Sequence, residues 1–167
     1  KYPMSGQKSE YSKFGIYDLE NKKTIFLKVQ QPKDHYVSNL TWGPNGQYIY
    51  IAELNRDQNH LKWAQYNPKS GLRIKTIYEE TNNKWVEPEY PIYFLPNKEN
   101  EFITLSERDG YMSLYHYNTA GKLINKILEN KWVITKILDV LENKIFFEGT
   151  GEDPRSVHAF SINIDGT

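Results

Sequence analysis

Three observations predict an all-β fold, read as a β-propeller segment of about three to four four-stranded antiparallel blades. Short apolar and aromatic runs alternate with hairpin-length turns, almost nothing carries a helical period, and the pattern repeats at intervals of 45 to 52 residues. Aromatic residues are 14% of the 167, with 13 tyrosines and 4 tryptophans, and such side chains suit pleated, half-buried surfaces.

Taken in order, Lys13–Leu19 and Thr24–Val29 read as the last two strands of a first copy. Tyr36–Trp42 then runs to the turn Gly43-Pro44-Asn45-Gly46, and Tyr48–Leu54 runs to the loop Asn55-Arg56-Asp57-Gln58-Asn59. Leu61–Tyr66 ends at Asn67-Pro68-Lys69-Ser70-Gly71, and Leu72–Tyr78 completes four strands. The order recurs as Tyr90–Leu95, Glu101–Leu105, the turn Glu107-Arg108-Asp109-Gly110, Tyr111–Tyr117 and Lys122–Leu128. A last copy reads Val133–Val140, Lys144–Glu148 and Val157–Ile164. The expected organisation is therefore the end of one blade in 1–30, blades in 36–79 and 90–128, and an incomplete blade in 133–167.

The repeat has a register. Arg56 and Arg108 are 52 apart, and Gly71, Gly121 and Gly166 are 50 and 45 apart. A β-sandwich also has many short strands, but it lacks such a period. Two full blades with partial ones beside them cannot close a ring, so the expectation is a segment of a longer, larger propeller. The start at Lys1, without methionine, reads as an excised or processed chain.

Composition narrows function. Lys plus Arg (21) equals Asp plus Glu (21), which disfavours a nucleic-acid or anionic-membrane binder. With no cysteine there is no disulfide, thiolate site or cysteine nucleophile, and no apolar run has membrane-spanning length.

Ordered strings then bring a family into view. Lys1-Tyr2-Pro3-Met4-Ser5-Gly6, followed by Ile16-Tyr17-Asp18-Leu19, resembles the Tyr-Pro-x-Ala-Gly segment of dipeptidyl peptidase IV propellers. Leu40-Thr41-Trp42 with Asn55-Arg56-Asp57-Gln58-Asn59 is similar to the next block, which carries an Asn-Arg-x-Gln-Asn turn. Lys84-Trp85-Val86, Ser106-Glu107-Arg108-Asp109-Gly110-Tyr111 and Leu114-Tyr115-His116-Tyr117 resemble a third, and Asn130-Lys131-Trp132-Val133 opens the following one. The style is closest to bacterial members of the family. Two departures stand out. Ser156-Val157-His158-Ala159-Phe160 replaces an acidic-Arg-His-Leu-Tyr string, and Glu87-Pro88-Glu89-Tyr90 replaces an arginine- and phenylalanine-bearing loop that faces substrate in mammalian members.

The resemblance implies a larger propeller, eight-bladed in the family, joined to an α/β-hydrolase domain. Such enzymes remove N-terminal dipeptides with proline or alanine second. Their nucleophile sits in a Gly-x-Ser-x-Gly elbow. No such string occurs here, so the catalytic domain is absent from this sequence and catalytic residues are expected to be none. The family's amine-binding glutamate pair would precede Lys1. By resemblance the parent is exported, periplasmic or cell-surface, and its partners are its own hydrolase domain, peptide substrate and a second copy in a homodimer. No cofactor, metal or nucleic acid is expected. The competing reading is a protein-interaction propeller without an enzyme domain.

Other candidate chemistry competes with plain structural roles. Glu79-Glu80 reads as a strand end meeting solvent. His35, His60, His116 and His158 show no metal-ligand spacing and read as surface or strand-packing residues. Glu87, Glu89 and Tyr90 form a candidate substrate-cavity loop; a glycosidase pair is opposed by Pro88, which favours a loop. Arg56 and Arg108 are read as structural turn arginines that hold loop carbonyls or Asp57 and Asp109. Trp42, Trp85 and Trp132 are expected between blades, with Trp63 on an outer strand. Asn39-Leu40-Thr41 fits a glycosylation sequon but falls within a strand.

Overall fold

The computed structural model describes residues 4, 6–7, 11–30, 32 and 34–167. Of the Lys1–Gly6 string, Lys1, Tyr2, Pro3 and Ser5 lie outside the described residues. The described residues form thirteen strands in four antiparallel sheets. β1 (Gly15–Asp18) pairs with β2 (Lys23–Phe26). β3 (Tyr36–Trp42), β4 (Ile49–Leu54), β5 (His60–Tyr66) and β6 (Arg73–Thr81) make the second sheet, in chain order. β7 (Tyr93–Leu95), β8 (Lys98–Ser106), β9 (Ser113–Asn118) and β10 (Leu123–Lys126) repeat that meander. β11 (Ile134–Leu141), β12 (Lys144–Gly149) and β13 (His158–Asn163) form a three-stranded sheet. This is the all-β succession of propeller blades the periodicity predicts.

Several strand limits depart from the sequence pattern, β8 for example opening at Lys98 rather than Glu101. β7 begins at Tyr93 rather than Tyr90, because Pro91 has no N–H to give a ladder. β6 runs on to Thr81 and carries Glu79 and Glu80 inside the strand, paired with Lys62 and Leu61.

The sheets stack face to face, and strand alternation divides each middle strand between two cores. In β4, Ile49 and Ile51 face the first sheet with Leu27, Ala64 and Tyr66. Tyr50, Ala52 and Leu54 face the third sheet with Trp63, Ile77, Phe102, Tyr115 and Tyr117. Every residue of β4 is buried, since both faces are covered. In the third sheet, Ile103 and Leu114 turn the other way and meet Ile134, Val140, Ile145 and Phe147. Trp63 is 1% exposed in the middle of one such core, not on an outer strand as expected. Trp42 and Trp85 are 49% and 51% exposed, against the expected packing between blades, while Trp132 stacks on Phe147 and Phe160 of the fourth sheet, the latter at 4.9 Å.

The glycine register marks where consecutive sheets touch through their backbones. Gly71 (φ +69°) lies in the β5–β6 turn, and a Cβ there would stand 2.3 Å from the Phe26 carbonyl oxygen. The Lys28 N–H donates to the Gly71 carbonyl at 2.7 Å, beside a parallel bridge between Lys28 and Leu72. Gly121 (φ +87°) approaches the Ile77 carbonyl, and Gly166 (φ +94°) that of Ile127, at 3.3 and 2.8 Å by the same measure. Asparagine opens each turn. Asn67 Oδ1 accepts from the Lys69 and Ser70 N–H groups, and Asn118 Oδ1 from those of Ala120 and Lys122.

Gly71→Ala is therefore expected to lower unfolding free energy by about 2–4 kcal/mol, combining positive φ with a backbone clash. Gly110→Ala, at φ +98° with open space around it, should cost about 1 kcal/mol. Urea midpoints at constant m-value separate the two.

Candidate functional site

Antiparallel meanders place alternate turns at the same end of the sheets. The β4–β5 turn, the β8–β9 turn and the β6–β7 connection thus share one end, where the predicted residues Arg56, Glu87, Glu89, Tyr90 and Arg108 lie. Backbone bonds tie them together: the Val86 N–H donates to the Gln58 carbonyl at 2.7 Å, and that of Asn82 to Asn59 at 3.0 Å. The Trp85 indole N–H donates to Glu107 Oε1 at 3.1 Å.

Glu87-Pro88-Glu89-Tyr90 is irregular backbone, with both carboxylates exposed and Tyr90 half-buried. Its inner side is pinned. Val86 is 4% exposed, and the Asn39 side-chain amide donates to the Pro88 carbonyl. Asn39 can do so because β3 bulges between Ser38 and Thr41, with Asn39 at φ 52°. The sequon asparagine is thus engaged by this connection. Partial burial, and then Glu89, push the Tyr90 phenol above its ordinary range.

The two turn arginines differ. Arg56 is exposed and reaches Tyr36 of its own sheet, donating to the hydroxyl at 2.5 Å with the guanidinium 5.5 Å from the ring. Arg108 is the hub of a largely buried network across two sheets. It donates to Ser106 Oγ (3.0 Å), Tyr117 Oη (2.7 Å), Glu80 Oε2 (3.2 Å) and Tyr78 Oη, and lies 4.2 Å from the Tyr115 ring. Asp109, named from sequence as an arginine partner, instead accepts from the Tyr115 hydroxyl at 2.8 Å and pairs with Lys126 at 3.0 Å.

Glu80 corrects the solvent-facing reading. Only Glu79 is exposed, against His60 and Lys62. The Glu80 side chain is 8% exposed and accepts from Ser106 Oγ at 2.8 Å, from Arg108 and from the Tyr78 hydroxyl. Alternation in β6 turns Tyr78 and Glu80 together toward the third sheet. Burial and then the Glu80 charge push the Tyr78 phenol far above its ordinary value of 10.0.

A second such cluster escaped the sequence reading. Glu53, 1% exposed in β4, takes a fork from Arg73 at 3.2–3.3 Å and the Tyr66 hydroxyl. The available signal was a lone acid inside an apolar strand, which must be paired if both faces are covered. The histidines are dispersed. His116 is buried between Glu101 Oε2 (2.8 Å) and Asn125 Oδ1 (3.1 Å), while His158 is exposed. Among the described residues, no three His, Asp or Glu side chains group as metal ligands.

Arg108→Met should cost about 3–5 kcal/mol, because it strands the buried Glu80 carboxylate. Adding Glu80→Gln should restore part of that loss, read as a non-additive double-mutant cycle in urea. Alkali should also destabilise. Tyr50, Tyr66, Tyr78 and Tyr115 all have phenols raised first by burial. The unfolded chain releases their protons near the ordinary 10.0 while the folded chain keeps them. Their contribution is thus fully present below that pH and is lost as pH rises above it. Urea midpoints should fall progressively above about pH 10, less steeply in Tyr78→Phe.

The family model of the dipeptidyl peptidase IV (DPP IV) N-terminal region matches residues 1–167. A Bacteroides ovatus protein assigned as a dipeptidyl aminopeptidase IV superposes with a TM-score of 0.90 at 33% identity, covering 100% of this chain and 26% of that one. For Porphyromonas gingivalis dipeptidyl peptidase 4 the values are 0.85, 25%, 100% and 24%. The dipeptidyl-aminopeptidase B of Aspergillus niger is 21% identical over 184 residues, 100% of this chain and 20% of its own length. The chain thus spans about a fifth to a quarter of the relatives it matches. It belongs to the dipeptidyl peptidase IV N-terminal region family.

Proposed function

We propose that this chain is a non-catalytic propeller segment of a DPP IV-like serine exopeptidase that removes N-terminal dipeptides with proline or alanine second. One observation carries the reading: the family match runs over all 167 residues, while the sequence holds no Gly-x-Ser-x-Gly elbow. The nucleophile then belongs to an α/β-hydrolase domain of the same protein, and this segment gates substrate and supports that domain. Export, and assembly as a homodimer, follow from the same reading.

Within it, Glu87, Glu89 and Tyr90 border the substrate cavity, and Arg56 and Arg108 brace the turns behind them. The exposure of both carboxylates supports this, as does a backbone pinned through Val86 and Pro88. A fixed acidic rim attracts a cationic peptide end. Arg108 spends its donors on Ser106, Tyr117, Glu80 and Tyr78, as a brace would.

The test is hydrolysis of a Gly-Pro chromogenic dipeptide by the full-length protein, with the 167-residue chain alone beside it. Activity in the former and none in the latter is expected. The double substitution Glu87→Gln with Glu89→Gln should raise KM about two- to fivefold with kcat little changed. A well-folded full-length protein without peptidase activity would favour the interaction-scaffold reading.

A further inference from the structure

The β3–β4 turn holds the single Asn-Gly pair of the sequence, Asn45-Gly46, with both residues exposed. Both have positive φ, 59° and 64°, and nothing lies within 4 Å of a Cβ built on Gly46. The base of the turn is closed by the Gly43 N–H donating to the Tyr48 carbonyl at 2.9 Å. The Asn45 side-chain amide crosses to the third sheet and donates to Glu99 Oε1.

We propose that Asn45 is a site of spontaneous deamidation whose product weakens the contact between the second and third sheets. The Gly46 backbone nitrogen attacks Asn45 Cγ, forming an N–Cγ bond as the Cγ–Nδ2 bond breaks. Nδ2 leaves as ammonia, carrying the proton given up by the Gly46 nitrogen. Water then opens the cyclic imide at one carbonyl to give aspartate, or at the other to give isoaspartate. Nothing is oxidised or reduced, and water is the sole co-reactant.

The site favours attack because glycine leaves its nitrogen unshielded. Two bonds must be released: Gly46 N–H to the Gly43 carbonyl, a long 3.2 Å, and the exposed Asn45 amide to Glu99 Oε1. Neighbouring asparagines are protected. Asn39 precedes Leu40 in a strand and donates to Pro88, and Asn55 precedes Arg56 with its Oδ1 accepting from the Asn59 and His60 N–H groups. The acid product sets a carboxylate against that of Glu99, where like charges repel. The isoaspartyl product adds a main-chain carbon to a turn with little slack, since a Cβ on Gly43 would already sit 2.7 Å from the Tyr50 ring.

Incubation of the chain at mildly alkaline pH, followed by mass spectrometry of the tryptic peptide Asp34–Arg56 with isoaspartyl detection, tests this directly. Asn39 and Asn55 lie in the same peptide as internal references. Conversion is expected at Asn45 first, slowed about tenfold or more in Gly46→Ala by the added β-carbon. No conversion, equal conversion at Asn39 or Asn55, or an unchanged rate in Gly46→Ala would overturn the site. Asn45→Asp should lower the thermal midpoint, with Glu99→Gln removing most of that loss. An Asn45→Asp chain as stable as the parent would overturn the coupling to Glu99.

Discussion

Burial of both faces of the middle strands is the constraint from which the rest of this structure follows. Once the second sheet is covered by the first on one side and by the third on the other, β4 can keep no solvent face. Its alternation then sorts residues between two cores rather than between core and water. A sheet in that position cannot place a carboxylate without supplying partners, which is why Glu53 and Glu80 each arrive with an arginine and a tyrosine.

The same stacking explains the glycine register. Bringing one sheet close enough to share a buried core with the next drives the turn after its third strand onto the preceding sheet's backbone. Gly71 and Gly166 stand where a Cβ would strike a carbonyl oxygen, and Gly121 stands nearly as close. Positive φ and close approach are demanded at one point, and only glycine meets both without strain. Asn67 and Asn118 satisfy N–H groups that the first two of these tight loops would otherwise leave unpaired, and Asp165 does so in the third.

Stiffness of the shared end has the same origin. Arg108 binds the last strand of one sheet to the second and third strands of the next, and the 82–92 connection runs over that junction with its backbone bonded to Gln58 and Asn59. The exposed carboxylates of Glu87 and Glu89 therefore stand on a supported loop, a preorganised rim in the function proposed here. The interactions are of unequal weight. Exposed pairs such as Glu79 with Lys62 contribute little, while the buried Arg108 cluster is costly to break.

Much of the fold was legible in the chain itself, because strand alternation, turn residues and repeat spacing are local signals. All of β3, from Tyr36 to Trp42, and the Asn…Gly turns could be placed from them. The ordered strings likewise carried the family. What alternation cannot say is which face meets which neighbour. Glu80 read as a solvated strand end, Trp63 as peripheral and Glu53 as nothing at all, because their burial comes from sheets dozens of residues away. Arg56 and Arg108 look equivalent by position, yet only Arg108 faces a neighbouring strand bearing a tyrosine and a glutamate. Sequence alone determined the strands, their turns and the family; the stacking of sheets decided which charges are buried and which loops are braced, because desolvation and pairing depend on contacts that no local pattern encodes.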